Sequence, residues 1–276
     1  MDYEKGERLH REDYTYPGEE NAFAALRKIP VLDQVIAAFL KYVSQATAMP
    51  QVQGDFYRIT EDTCPAVYAV YKKALKRLDI REEYPLFSKA CFDYNAYTTG
   101  GSAPYIVIHS SVVKDWPQDE MLYILGHELG HIKSGHLIYY MMARQLGALL
   151  SGLPVLGDAV FSAGLHLALT DWQRIQEFTA DRAGAIAAGS IDGAIWGLGR
   201  LLGTSEKIPF VELGTEELKR QNDSFEECSK DVISRIFCMM QLINATHPWT
   251  ITRIKELERW GMSGEYDAVA GKIWSS

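Results

Sequence analysis

The stretch HELGH, residues 127–131, sets two histidines four positions apart with a glutamate directly after the first. On a helix, four residues make slightly more than one turn, so His127 and His131 project from one face and can bring two imidazole nitrogens to one metal ion. Glu128 sits beside them and is poorly placed to share the ion. Its natural task is to take a proton from an activated water and pass it to a leaving amine. The motif lies inside EMLYILGHELGHI, where Leu122, Leu125, Leu129 and Ile132 supply an apolar face and Gly126 and Gly130 permit close approach of a neighbour.

A catalytic zinc usually has three protein ligands and an open position. The spacing HExxHxxGxxH would need glycine at 134 and histidine at 137, where the chain has Ser134 and Leu137, so that class is excluded. His136 is five residues beyond His131, about 140° further round a continued helix, and cannot reach the same ion without a break at Gly135. It suits a place behind the site or on the surface. Glu177, in RIQEFTAD, is the best candidate for third ligand. It falls on a separate helix, and Asp181 one turn later faces the same way and could hold a ligand imidazole by its second nitrogen. Without the HELGH motif, this Glu/Asp pair would read as a solvated helix face.

The elements that must position these groups are mostly helical. Residues 1 to about 18 read as a flexible arm ending at the turn signal YPGEEN. Helical spacing follows in NAFAALRKIPVLDQVIAAFLKYVSQA, broken at Pro30 with a second helix from near Val31. DFYRIT suggests a short strand, and CPAVYAVYKKALKRLDI a helix with basic residues at its end. From 85 to 109 the period changes: PLFSKACFDYN and PYIVIHS are β-rich runs separated by AYTTGGSA, read as a hairpin turn. The HELGH helix begins at Pro117, with Asp119 and Glu120 in its first turn. TDWQRIQEFTADRAGAIAAG predicts a helix capped at Thr170 or Asp171 and closing near Gly189. Further helices are expected over 191–203, 212–222, 224–244 and 249–260, the last stopped by Gly261. The expectation is an α+β fold, mainly helical, with one small sheet next to the HExxH helix.

HELGH, then EFTADRAG, then THPWTITRI together resemble the zinc metallopeptidase family that includes the bacterial stress protease HtpX and the CAAX prenyl-protein endopeptidases. YNAYTTGGSAPYIVIHSSVV resembles that family's Asn-Ala motif and edge strand. The likeness covers about residues 85–190 and 245–260. It implies a zincin-like fold of the gluzincin type, with one zinc on His127, His131 and Glu177, Glu128 as general base and acid, and Asp181 behind a ligand. It also implies His247 and Arg253, spaced as in HPxxxxR, beside the open position, where a donor could stabilise the oxyanion. Asn95 and the strand holding Tyr105, Ile106 and Val107 would align an extended peptide at the sheet edge. Residues 1–84 are then an N-terminal arm and helical region packed on a metallopeptidase core of 85–276, forming one compact unit. The implied activity is zinc-dependent endopeptidase action on flexible or unfolded polypeptides. The alternative is a latent or silent zinc-containing peptide-binding protein.

Composition bounds the rest. The 276 residues are 47% hydrophobic with net charge −8 and no Lys/Arg block, which argues against nucleic acid as a partner. Four scattered cysteines, Cys64, Cys91, Cys228 and Cys238, form no CxxC pair, so neither a disulfide framework nor a thiolate zinc site is expected. The polar start MDYEKGERLHREDY lacks the apolar core of a secretory signal, and a cytoplasmic location is expected. The apolar tract 137–170 is cut by Arg144 and Asp158 into runs shorter than the roughly 20 residues that span a bilayer. It reads as two buried helices covering the site, with peripheral membrane contact as the alternative.

Overall fold

Short β-rich runs and longer apolar-striped helices sort into a four-stranded sheet and a helical body packed on one of its faces. A computed structural model describes residues 9–28, 49–100, 103–139, 141, 159–204, 215–228, 230–231, 234 and 247–274. A 3₁₀ turn (Arg11–Asp13) precedes α1 (Pro17–Arg27), α2 (Met49–Asp55), β1 (Tyr57–Ile59) and α3 (Pro65–Arg77). Then come β2 (Leu86–Lys89), β3 (Ala96–Thr99), β4 (Tyr105–His109), α4 (Ser110–Asp115) and α5 (Gln118–Lys133). The rest is helical: α6 (Ala159–Ala188), α7 (Ile191–Leu201), α8 (Thr215–Cys228), α9 (Thr250–Met262) and α10 (Glu265–Trp274).

The strand order is β1-β2-β4-β3, with β2 parallel to β4 and both outer pairs antiparallel. All five residues of β4 are buried, as an uninterrupted apolar run in a central strand requires. Leu86, Ala96, Ile106 and Ile108 join the main core beneath the helices. Phe87, Tyr105 and Val107 face the other way and are covered by Val52 and Phe56. Among the described residues, the edge strand on the HELGH side is β3.

Helix α5 is buried on all sides from Met121 to His131, so its polar residues stand inside the protein. It crosses α6 at very short range. A Cβ on Gly126 would lie 2.2 Å from Cβ of Ala187, and one on Gly130 would lie 2.6 Å from Cβ of Ala183. The two glycines anticipated as a close-approach surface are that surface, met by alanines of α6.

Several expectations need correction. Residues 9–18 are not a loose arm: Leu9 and Tyr14 are in the core, and α1 already starts at Pro17, whose fixed φ suits a first helical position. AYTT is not a turn but β3, paired with β4. α6 begins eleven residues before Thr170, so neither Thr170 nor Asp171 caps it, although it does end at Gly189, φ +92°. The anticipated helices over 212–222 and 224–244 meet in α8, which runs unbroken through 224. SSVVKD forms α4, and Gly261 does not end the helical part, since α9 runs to Met262 and α10 follows. The helix expected from Val31, most of 137–158, and 235–244 lie outside the described residues.

Candidate metal centre

The narrow α5–α6 crossing sets Glu177 against the two histidines of α5. Nε2 of His127 and Nε2 of His131 are 3.1 Å apart. Glu177 Oε2 lies 3.4 Å from the first and Oε1 lies 3.5 Å from the second. Ligand atoms about 2.0–2.1 Å from one ion at tetrahedral angles sit about 3.3–3.4 Å apart, so the spacing fits a shared cation. The hydrogen bonding fits it too. Both Nδ1 atoms are engaged on the outer side, leaving lone pairs on the two Nε2 atoms that face each other, and neither oxygen of the buried Glu177 receives an aligned hydrogen bond. Among the described residues this is the one set of buried ligand atoms with their free lone pairs converging.

The charge balance favours a cation as well. Burial pushes the His127 imidazolium down, but its hydrogen bond to Asp181 and the negative charges of Glu177 and Asp181 outweigh it and hold this ring up to about 9. Burial likewise raises Glu177, yet the neighbouring His247, His127 and His131 keep its carboxyl well below the usual range. The cluster as folded attracts positive charge.

Each histidine is steadied from behind. His127 Nδ1 donates to Asp181 Oδ1 at 3.0 Å, and Tyr123, one turn earlier on α5, donates to the same oxygen at 2.7 Å. Arg253 grips Asp181 with Nε at 2.8 Å from Oδ2 and a terminal nitrogen at 2.6 Å from Oδ1. Burial raises the Asp181 carboxyl, but the guanidinium and His127 bring it down to about 2. For His131 the support is His136. After Ser134 caps α5, Gly135 takes φ +73°, and the N–H groups of Gly135 and His136 bond back to the carbonyls of Ile132 and His131. This glycine-ended cap folds His136 under the helix, where the two Nδ1 atoms lie 3.0 Å apart. The break at Gly135 therefore puts His136 behind the ligand rather than on the ion.

In front, a cavity of about 710 Å³ is lined by His127, Glu128, His131, Glu177, His247 and β3. Thr98 of β3 donates its hydroxyl to Glu128 Oε2 at 2.7 Å, fixing the carboxylate on the cavity wall. His247 sits half-exposed at the rim, its Nδ1 2.9 Å from Glu177 Oε2 but off the line of a hydrogen bond. Asn95, exposed at the head of β3, also borders the cavity.

Two assignments change. Arg253 does not face the open side: it is buried behind His127 with Asp181 and Tyr123, so it cannot serve as an oxyanion donor. Tyr105, Ile106 and Val107 cannot offer a substrate edge, because β4 is hydrogen-bonded on both sides by β2 and β3. The edge beside the cavity is β3. Thr98, Tyr123 and Glu19, the partner of His136 described below, were not singled out from the sequence. Only Tyr123 carried a local signal, its place one turn before His127. A further set, Cys91, Asp93 and His109, brings ligand-type atoms within 4.8 Å. There Cys91 Sγ donates to Asp93 Oδ1 at 2.9 Å and His109 Nδ1 donates to the Asp93 carbonyl at 3.0 Å, so the set is satisfied internally.

Residues 65–261 match the family model described as peptidase family M48. The chain is similar to the plastoglobule-localized metallopeptidase 48, chloroplastic, of Arabidopsis thaliana, 25% identical over 263 residues that cover 95% of this chain and 76% of the relative. It is also similar to a protease HtpX homolog of Sulfurihydrogenibium sp., 25% identical over 195 residues covering 59% of this chain and 64% of that protein.

Proposed function

Because the chain belongs to peptidase family M48, and is therefore a metalloprotease acting on polypeptides, we propose that its metal is one zinc ion held by His127, His131 and Glu177. We propose further that it cleaves internal bonds of extended or unfolded segments. The observation that carries this reading is the shared cavity wall on which both ligand histidines, Glu128 and the edge strand β3 meet.

When bound, zinc supplies the Lewis acidity that makes water nucleophilic near neutral pH and polarises a carbonyl. Glu128, held by Thr98, takes the water proton and delivers it to the leaving amine. His247 at the rim is the proposed donor to the developing oxyanion. Backbone groups of β3, with Asn95 at its head, pair with an extended substrate, which a tightly folded domain cannot present. Asp181 and Arg253 act through His127, keeping its ring in the tautomer that offers Nε2 inward. A silent peptide-binding role is not favoured, since the family is one of peptidases and Glu128 stands on the cavity wall. The proposed location is the cytoplasm. Contact with a lipid surface is the variant that the plastoglobule relative suggests, and fractionation of cells decides between them.

The test is cleavage of an unfolded protein by the zinc-loaded chain, with product termini read by mass spectrometry. Glu128→Gln is expected to keep one zinc per chain and lose turnover by at least about 100-fold. Activity that survives zinc removal, or a Glu128→Gln variant as active as wild type, would refute the assignment.

A further inference from the structure

The two ligand histidines are supported by unlike means. His127 passes its Nδ1 proton straight to a carboxylate, Asp181. His131 meets another imidazole instead: its Nδ1 lies 3.0 Å from Nδ1 of His136, whose Nε2 lies 3.0 Å from Glu19 Oε1. The Thr179 hydroxyl donates to the other oxygen of Glu19. With Nε2 of His131 offered to a metal, one proton arrangement satisfies this chain. Nδ1 of His131 then carries the hydrogen and donates to Nδ1 of His136. His136 keeps its hydrogen on Nε2 and donates to Glu19, which as a carboxylate can only accept. His131 is 8% exposed, His136 1%, Glu19 3% and Thr179 0%, so the chain is shielded from bulk solvent.

Resting on the metal reading above, we infer that Glu19 and His136 are positioning residues of the metal centre. They form with His131 a relay that orients the second imidazole and holds it in the metal-binding tautomer. The segment carrying Glu19 precedes the stretch that matches the family, residues 65–261. It is nevertheless clamped to the centre's own elements. Arg11 donates to the Ser134 carbonyl at 2.8 Å, Lys133 to the Leu9 carbonyl at 2.6 Å, and the Tyr16 amide to the Thr179 hydroxyl at 2.9 Å. The N-terminal segment is thus a working part of the site, and anything that lifts it away lowers the affinity for metal.

The test is zinc affinity, read by competition with a chromophoric chelator, for full-length wild type, His136→Phe, Glu19→Ala and the double variant. Apo-protein circular dichroism serves as the fold check. His136→Phe keeps an aromatic ring in the buried slot and removes only the acceptor and donor. Each single variant is expected to bind zinc about 10–100-fold more weakly, with an altered ligand-field spectrum after cobalt substitution. The double variant should lose no more than the weaker single, because one chain of bonds is broken in all three. Affinities within about twofold of wild type, or losses that add in the double variant, would overturn the relay. If Glu19→Ala fails to fold, Glu19→Met, which removes the acceptor but keeps most of the volume, replaces it in the cycle. Wild type that holds no zinc would overturn the metal reading itself, a separate outcome.

Discussion

Replacing Gly130 by alanine tests whether the tight crossing of α5 and α6 is what assembles the metal centre. The added methyl would lie 2.6 Å from Cβ of Ala183 and 3.3 Å from Cα of Ala180. Ordinary contact begins at about 3.4 Å, so the helices must part by about 0.8 Å at this level. Gly130 adjoins His131, and Ala180 lies between Glu177 and Asp181 in sequence, so the displacement falls on the ligand distances of 3.4 and 3.5 Å. Two energies oppose each other in the fold. Alanine gains about 1 kcal/mol of helix propensity over glycine, while overpacking costs about 1–3 kcal/mol. Net stability should fall by only about 0–2 kcal/mol. Position matters far more to catalysis, where a shift of about 1 Å can cost about 100-fold. Thermal unfolding of the apo-protein, zinc competition titration and peptide turnover at saturating zinc should therefore separate, with a small change in melting and a large change in the other two. Adding Ala183→Gly restores the space and should recover both. If Gly130→Ala bound zinc and turned over within about twofold of wild type, the crossing would not be what sets the site.

Thr98→Val should lower kcat about 10-fold or more with zinc content unchanged, because a hydrogen bond to a charged carboxylate is worth about 1.5–3 kcal/mol; unchanged kcat in steady-state assays would deny Thr98 its hold on Glu128. Arg253→Met leaves the buried Asp181 charge without its partner and should cost about 3–5 kcal/mol in denaturant melts. A variant of normal stability that lost only kcat would restore the oxyanion role denied to Arg253 above. Burial raises Glu19, but hydrogen bonds from His136 and Thr179 outweigh it and hold its carboxyl below the usual 4.5. The folded state thus takes up this proton at lower pH than the unfolded chain. Its contribution is complete above pH 4.5 and is lost as the pH falls below that value. Melts of Glu19→Gln across that range should depend less on pH than wild type, and equal slopes would contradict the assigned network.

What the sequence makes legible here is what one helix can state by itself. The four-residue spacing of His127 and His131, the i,i+4 pair Glu177 and Asp181, and the glycines on the α5 stripe are local patterns that map directly onto geometry. The strand assignment failed where a run was ambiguous. AYTTGG has the threonines and tyrosine of a strand and the glycines of a turn, and only its pairing with β4 decides which residues belong to which. That error carried the substrate edge onto β4, whose continuous apolar run is itself the sign of a central strand. Arg253 went astray differently. Spacing placed it near the metal, but which side of His127 it approaches depends on the packing of α9 against α6 and α7, which no local pattern encodes. Glu19 lay in a polar stretch that reads as solvated, and its burial comes from contacts more than a hundred residues away in the chain.

Those separations bear on when the protein becomes active during synthesis. Of these groups Glu19 leaves the ribosome first, His136 and Thr179 follow 117 and 160 residues later, and Arg253 comes 72 residues after Asp181. The support behind His131 is complete once Thr179 has been made, whereas that behind His127 waits for Arg253. A chain still under translation can display the HELGH helix, but it lacks the guanidinium that neutralises Asp181 behind it. The two histidines of the metal centre are in this way secured at different moments of synthesis, His131 first and His127 only when Arg253 has closed on Asp181.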